Sequence, residues 1–169
     1  MTRRLILVRH AKSSWDGGEF DDHERPLNGR GKRSALMIGT WLREKGRLPE
    51  RVLSSDSTRT RETWRLIEEE LNSGADERWR RDLYHADAQT MLDTLRSAGN
   101  ASTILMIGHN PGTAIFANMV VEHPPPHTRY RDYPTAATAD IVFSLSRWMD
   151  VEWCSGTVID FVIPRELGA

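Results

Sequence analysis

Apolar residues fall along this chain in two alternating rhythms. LILV (5–8) and TILMIG (103–108) are short unbroken apolar runs, the pattern of strands buried on both faces of a parallel sheet. Between them Ala35, Leu36, Ile38, Trp41 and Leu42 recur at helical spacing and Gly46 supplies a stop, which predicts an amphipathic helix over 29–45. RVLSS (51–55) reads as a strand and TRETWRLIEEEL (60–71) as a helix, whose EEE run forms a solvated face opposite Leu66, Ile67 and Leu71. A short strand is expected near 80–83 and a helix over 88–98. After Pro111, which suits a first helical turn, TAIFANMVV (113–121) reads as a helix that HPPPH (123–127) ends. ADIVFSL (139–145) and GTVIDFVI (156–163) alternate as sheet strands. This succession predicts an α/β three-layer sandwich, a mostly parallel central sheet with helices on both faces. No repeat is present and only 122–133 is linker-like, so one domain spanning 1–169 is expected.

In such sheets ligands bind at the carboxyl ends of the strands, where loops project from a rigid platform. Arg9-His10 ends the first strand, Ser55 to Arg59 follows another, and Gly108-His109-Asn110 ends a third. If these strands are neighbours, two arginines and two histidines remote in sequence meet. Two guanidinium groups offer bidentate donors to a tetrahedral dianion, and a neutral imidazole can attack its phosphorus. Taken singly, each of these residues reads as a solvated charge or a satisfied polar group; their joint placement is that of a phosphoryl-transfer site.

Composition narrows the classes. The formal net charge is -1 with 28% charged residues, so no basic excess argues for a nucleic-acid or membrane partner. Arginine heavily outnumbers lysine without a clustered stripe, which reads as coding bias rather than RNA binding. Cys154 is the only cysteine, which excludes an internal disulfide and is consistent with a reducing compartment. A cysteine-dependent phosphatase needs an arginine six positions after its thiolate, where this chain has Asp160. MTRRLILV is too short in its apolar part for a signal peptide, and no run approaches a membrane span, so a cytoplasmic location is expected. His23, His123 and His127 have no metal-site spacing, and neither a metal nor another cofactor is expected.

The strand-terminal R-H-A (9–11), S-x-x-x-R-x-x-x-T (Ser55, Arg59, Thr63) and G-H-N-P (108–111) resemble the histidine phosphatase superfamily. RHAKSSW, RPLNGRG and YPTAATA resemble its SixA-type phosphohistidine phosphatase branch, over nearly the whole chain. The resemblance implies a phosphoglycerate mutase-like fold. It also implies a hydrolase acting through a phosphohistidine intermediate, with His10 the nucleophile, Arg9 and Arg59 clamping the phosphoryl oxygens, and His109 donating to them. Ala11 stands where many relatives have glycine, and DLYHADA (82–88) lacks the glutamate general acid that mutase-like relatives usually carry. Of Asp16, Asp21, Asp22 and Glu24, the resemblance favours Asp22 as the acid; His85 reads as a surface residue rather than a replacement. Lys12, Ser13, Trp15 and Arg25 are candidates for contact with the substrate, Arg25 also for a loop anchor beside Pro26. With no insertion after Arg59 long enough for a lid, an open site suits a phosphorylated protein substrate, such as a histidine-phosphorylated signalling protein; phosphate and other oxyanions should bind the same site. A small-molecule phosphomonoesterase or mutase, and a non-catalytic phosphate-binding module, remain as alternatives.

Overall fold

A computed structural model describes residues 1–15 and 21–168; Asp16, one of the candidate acids, lies outside them. Among the described residues six strands form one sheet. In chain order the elements are β1 (Arg3–Arg9), α1 (Gly29–Glu44), β2 (Arg51–Ser55), α2 (Thr58–Leu71), β3 (Asp76–Arg80), α3 (Ala88–Arg96), β4 (Thr103–Gly108), α4 (Gly112–Val120), β5 (Thr138–Phe143) and β6 (Thr157–Val162).

The spatial order is β3-β2-β4-β1-β5-β6. The first four run parallel, with β4 between β1 and β2; β5 pairs antiparallel with β1, and β6 antiparallel with β5. Alternate residues of the apolar runs explain the layers. Ile6 and Val8 join Leu105 and Ile107 under α1 and α2, against Ala35, Ile38, Trp41, Trp64 and Ile67. Leu5 and Leu7 join Ile104 and Met106 on the other face, under Met91, Leu92 and Leu95 of α3 and Phe116 and Val120 of α4. Full burial of such side chains is worth roughly 1.5–3 kcal/mol each, so both faces of the central strands are strongly specified.

Two sequence expectations shift. The strand expected near 80–83 lies at Asp76–Arg80, and Arg81–Leu83 is a 3-10 turn. DERWR carries no apolar run because β3 is the edge strand, mostly exposed and paired only with β2. The linker-like 122–133 is no tether: it has no regular element, yet Tyr130 and Tyr133 are buried, and their hydroxyls donate to the carbonyls of Ala117 (2.8 Å) and Leu7 (2.7 Å). Asn28 caps α1 by accepting from Gly31 N at 2.8 Å. Gly31 allows the loop after β1 to press onto α1, since a Cβ there would overlap the Lys12 carbonyl. Gly112 does the same at the start of α4, where a Cβ would overlap the Ala86 carbonyl.

Candidate active site

The strand order makes neighbours of the three motif-bearing strands, with Arg9 directly opposite Gly108 across the β1–β4 pair. Their carboxyl ends open on a cavity of about 330 Å³. Arg9, His10, Arg59 and His109 line it, as do Asp22, Lys12, Ser13, Trp15 and Arg25. All nine candidate residues are therefore brought together, along with His85, Asn110 and Thr135.

His10 follows the last residue of β1, and its amide donates to the Gly108 carbonyl at 3.1 Å. Its Nδ1 lies 2.7 Å from the Ala11 carbonyl oxygen, an acceptor only, so Nδ1 carries the proton and Nε2 keeps its lone pair. Thr63 explains the spacing of the second motif: its hydroxyl accepts from Ala11 N at 3.0 Å and donates to the Arg59 carbonyl at 2.7 Å, fastening the loop after β1 to α2. Burial pushes the His10 pKa down to about 3, the Ala11 carbonyl opposing and the charges of Arg59, Arg9 and Arg25 adding to it. His109 falls to about 2, through burial first and then the charges of His10, Arg59 and His85. The two rings lie 5.2 Å apart, both neutral at pH 7.

Arg59 is 1% exposed. Its Nη1 donates to the Asp22 carbonyl at 2.6 Å, and its Nη2 to Asp22 Oδ2 at 3.1 Å and to His109 Nδ1 at 3.2 Å. Guanidinium only donates, so His109 Nδ1 accepts and Nε2 carries the proton, given to Ser55 Oγ at 2.8 Å. In this arrangement Ser55 and Arg59 hold both ring nitrogens of His109. Arg9 donates to the Tyr133 carbonyl at 3.3 Å, and burial lowers its pKa against the opposing charge of Asp132. Arg9 Nε and Arg59 Nε are buried without a partner among the described residues, two donors ready for an oxyanion.

Asp22 accepts from Arg59, from Arg25 Nε at 3.1 Å and from the Tyr84 hydroxyl, and its Oδ2 lies 2.9 Å from His85 Nε2. Partial burial pushes its carboxyl up, but hydrogen bonds from Tyr84, His85 and Arg59 and the Arg59 charge outweigh that and hold it well below the usual carboxylate range. An ionised carboxylate accepts protons. In this arrangement Asp22 accepts from Arg59, Tyr84 and His85 and holds those three side chains together. Sequence reasoning missed Tyr84 and the part His85 plays: the imidazole is 49% exposed, a surface residue as expected, yet its ring also stands 4.9 Å from that of His109. The only signal was the D-L-Y-H run itself, which names no partner. Arg25 anchors the first loop through Ser13 Oγ (2.9 Å) and the Ser14 carbonyl (3.3 Å) and stacks 3.6 Å over Trp15, whose ring is 80% exposed. Tyr133 and Ala136, beside Arg9, hold left-handed backbone (φ 49° and 61°), a local strain kept by the packing of the YPTAATA turn.

The buried neutral histidines have a consequence for stability. In the unfolded chain they titrate near 6.5, in the folded chain far lower, so the unfolded state binds more protons as pH falls from 6.5 towards 3 and the fold loses up to about 1.4 kcal/mol per pH unit for each. Urea unfolding at pH 7 and pH 5 should show His10→Asn losing about 1–2 kcal/mol less than the native chain. An equal loss would contradict a buried, neutral His10.

The described residues contain no helix long and apolar enough to cross a membrane and no group of three or more His, Cys, Asp or Glu placed to hold a metal ion. Fold and site together define an α/β protein of phosphoglycerate mutase-like architecture with Arg9, His10, Arg59 and His109 lining one pocket at its strand ends. The pattern of the histidine phosphatase superfamily (branch 1) matches residues 5–81, and the chain belongs to that superfamily. It is 32% identical over 164 residues to an uncharacterized protein of Mycobacterium tuberculosis, covering 94% of this chain and 100% of the relative. An uncharacterized chloroplastic protein of Arabidopsis thaliana is 37% identical over 130 residues, 71% of this chain, but the match spans only 60% of that relative's length. Among solved structures the chain resembles the putative phosphohistidine phosphatase SixA of Nakamurella multipartitia, with a TM-score of 0.81, 27% identity and 97% of each chain covered.

Proposed function

We propose that this protein is a metal-independent phosphatase that removes the phosphoryl group from phosphohistidine on a protein, through a phosphoryl intermediate on His10. The observation that carries this is the His10 tautomer: Nδ1–H is tied to the Ala11 carbonyl, leaving the Nε2 lone pair in a cavity walled by Arg9 and Arg59. Nε2 attacks phosphorus, the substrate's P–N bond breaks, and the departing imidazole takes up a proton. Water then attacks the phosphorus of phospho-His10 and gives up a proton to His85, the P–Nε2 bond breaks, and phosphate leaves with Nε2 unprotonated. Charge on the equatorial oxygens is met by the two guanidinium groups, in the place where a metal ion would otherwise serve. An incoming oxyanion competes with His109 Nδ1 for the Arg59 Nη2 hydrogen, which frees His109 to turn towards the phosphoryl group. His85, paired with the Asp22 carboxylate and open to water, is the group we assign to deliver the proton to the leaving imidazole.

The open cavity and exposed Trp15 at its rim support a protein substrate, and the resemblance to SixA supports phosphohistidine. The test compares kcat/KM, in chelator-treated buffer, for a phosphohistidine protein, phosphoramidate and several sugar phosphates. Phosphohistidine should exceed the esters by at least about tenfold. Trp15→Ala should raise KM for the protein substrate severalfold and leave phosphoramidate unchanged. A sugar phosphate turned over faster than either phosphoramidate substrate would replace this reading with a small-molecule phosphomonoesterase.

A further inference from the structure

Beside the catalytic cavity lies a second cleft of about 410 Å³ whose chemistry the phosphoryl transfer does not use. The two share Arg9, Lys12 and Thr135 as a common wall. The far side of the cleft carries Arg30, Arg129 and Arg165 against a single carboxylate, Asp132. Arg129 is committed to Asp132, Nη2 to Oδ2 at 2.9 Å. Lys12, Arg30 and Arg165 have no ion-pair or hydrogen-bond partner for their charged groups among the described residues, in a chain whose net charge is -1. Ser34 also lines the cleft. It is 5% exposed, and its hydroxyl has no hydrogen-bond partner among the described residues. Lys12, Arg30 and Arg165 are exposed and free to turn their charged ends to an anion, and Arg9, whose buried Nε has no partner among the described residues, lines the same cleft.

The cleft also accounts for two sequence stretches that the catalytic residues leave unexplained. RPLNGRG supplies Arg30, held at the start of α1 where Gly31 packs on the Lys12 carbonyl, and YPTAATA supplies Pro134 and Thr135. Lys12 and Arg9 face both concavities, so an anion in the cleft and a phosphoryl group at His10 are held on either side of one cationic wall.

We infer that this cleft is a second anion subsite, which takes carboxylate side chains flanking the phosphohistidine of the protein substrate; the inference rests on the phosphohistidine reading above. The surface fits a protein occupant, because cleft and cavity form one open cationic tract with the exposed Trp15 at the rim, and an exposed tryptophan beside such a tract is a common anchor for a protein partner. Aspartate and glutamate match the donor set, with fork-shaped guanidinium groups at Arg30 and Arg165 and the ammonium of Lys12 lining the same cleft.

The double variant Arg30→Gln/Arg165→Gln tests it, since neither side chain lines the catalytic cavity. Its kinetics and those of the native chain are compared on phosphoramidate, on a phosphohistidine peptide flanked by Asp and Glu, and on the same peptide flanked by Asn and Gln. The native chain should show a KM about tenfold lower for the acidic peptide, and the variant should lose that preference, with kcat and the phosphoramidate kinetics unchanged. Equal KM values for the two peptides in the native chain, or an equal loss on all three substrates in the variant, would overturn the subsite. So would a variant whose only change is a raised KM for a bisphosphorylated small molecule, which would assign the cleft to a metabolite's second phosphate. Failure of the catalytic reading looks different: the native chain would then hydrolyse neither phosphoramidate nor either peptide. Calorimetric binding of the unphosphorylated acidic peptide, expected to weaken about tenfold in the variant, decides the subsite in that case too.

Discussion

On the proposed mechanism, replacing His10 by alanine should abolish turnover, by about four orders of magnitude or more, because the group proposed to form the covalent intermediate is gone and nothing beside it can substitute. His109 is closest in kind, but its Nδ1 accepts from Arg59 and its Nε2 donates to Ser55. The variant should still fold: His10 contributes one side-chain hydrogen bond, to the adjacent Ala11 carbonyl, and the β1 backbone pairing does not depend on it. The measurement is single-turnover hydrolysis of phosphoramidate, with acid-labile label on the protein and circular dichroism in parallel. The native chain should carry label that is lost in acid and the variant none. A folded His10→Ala protein with near-native turnover would remove the mechanism altogether.

Arg59→Ala should cost about 10²–10³ in kcat and weaken competition by vanadate and phosphate together, since on the proposed mechanism the guanidinium holds the ground state and, more strongly, the charge that develops in transfer. The loss reaches beyond one contact. Arg59 binds both the backbone and the carboxylate of Asp22 and fixes the His109 tautomer, so its removal frees the 21–25 segment and leaves His109 Nδ1 without its donor. Arg59→Lys separates charge from geometry: a single ammonium cannot reproduce the fork to Asp22 and His109, and should recover less than a tenth of the native rate. Full rescue by lysine, or unchanged vanadate inhibition in the alanine variant, would show that Arg59 is structural only. Thermal unfolding of both variants is needed beside the kinetics, because a side chain 1% exposed with three such partners also supports the fold.

Much of the layer architecture is legible in the sequence because periodicity is local. LILV and TILMIG read as central strands because Leu5 to Val8 and Ile104 to Ile107 are unbroken apolar runs, and they are buried on both faces. Edge strand β3 was misplaced by several residues because DERWR buries little and its position is set by pairing with β2 rather than by its own pattern. The stretch 122–133 reads as a linker since proline and polar residues dominate it, yet Tyr130 and Tyr133 find buried partners remote in sequence, one of them Leu7. Histidine and arginine at the strand ends are visible as residues, and the motif resemblance assigns their roles.

The sequence by itself determined that strands alternate with helices, that Arg9-His10, Arg59 and His109 follow strands, and that no cysteine nucleophile with a partner arginine exists, since each of these depends only on residue types at short spacing. Tertiary structure decided that β4 sits between β1 and β2, which places Arg9, His10, Arg59 and His109 around one cavity. It also decided the protonation states: His10 keeps a free Nε2 lone pair because its Nδ1–H donates to the Ala11 carbonyl, and Asp22 is an ionised acceptor because Arg59, Tyr84 and His85 converge on it. Burial and hydrogen bonding set those states, and both depend on neighbours between 37 and 63 positions away in the case of Asp22, a separation across which residue spacing carries no information about contact.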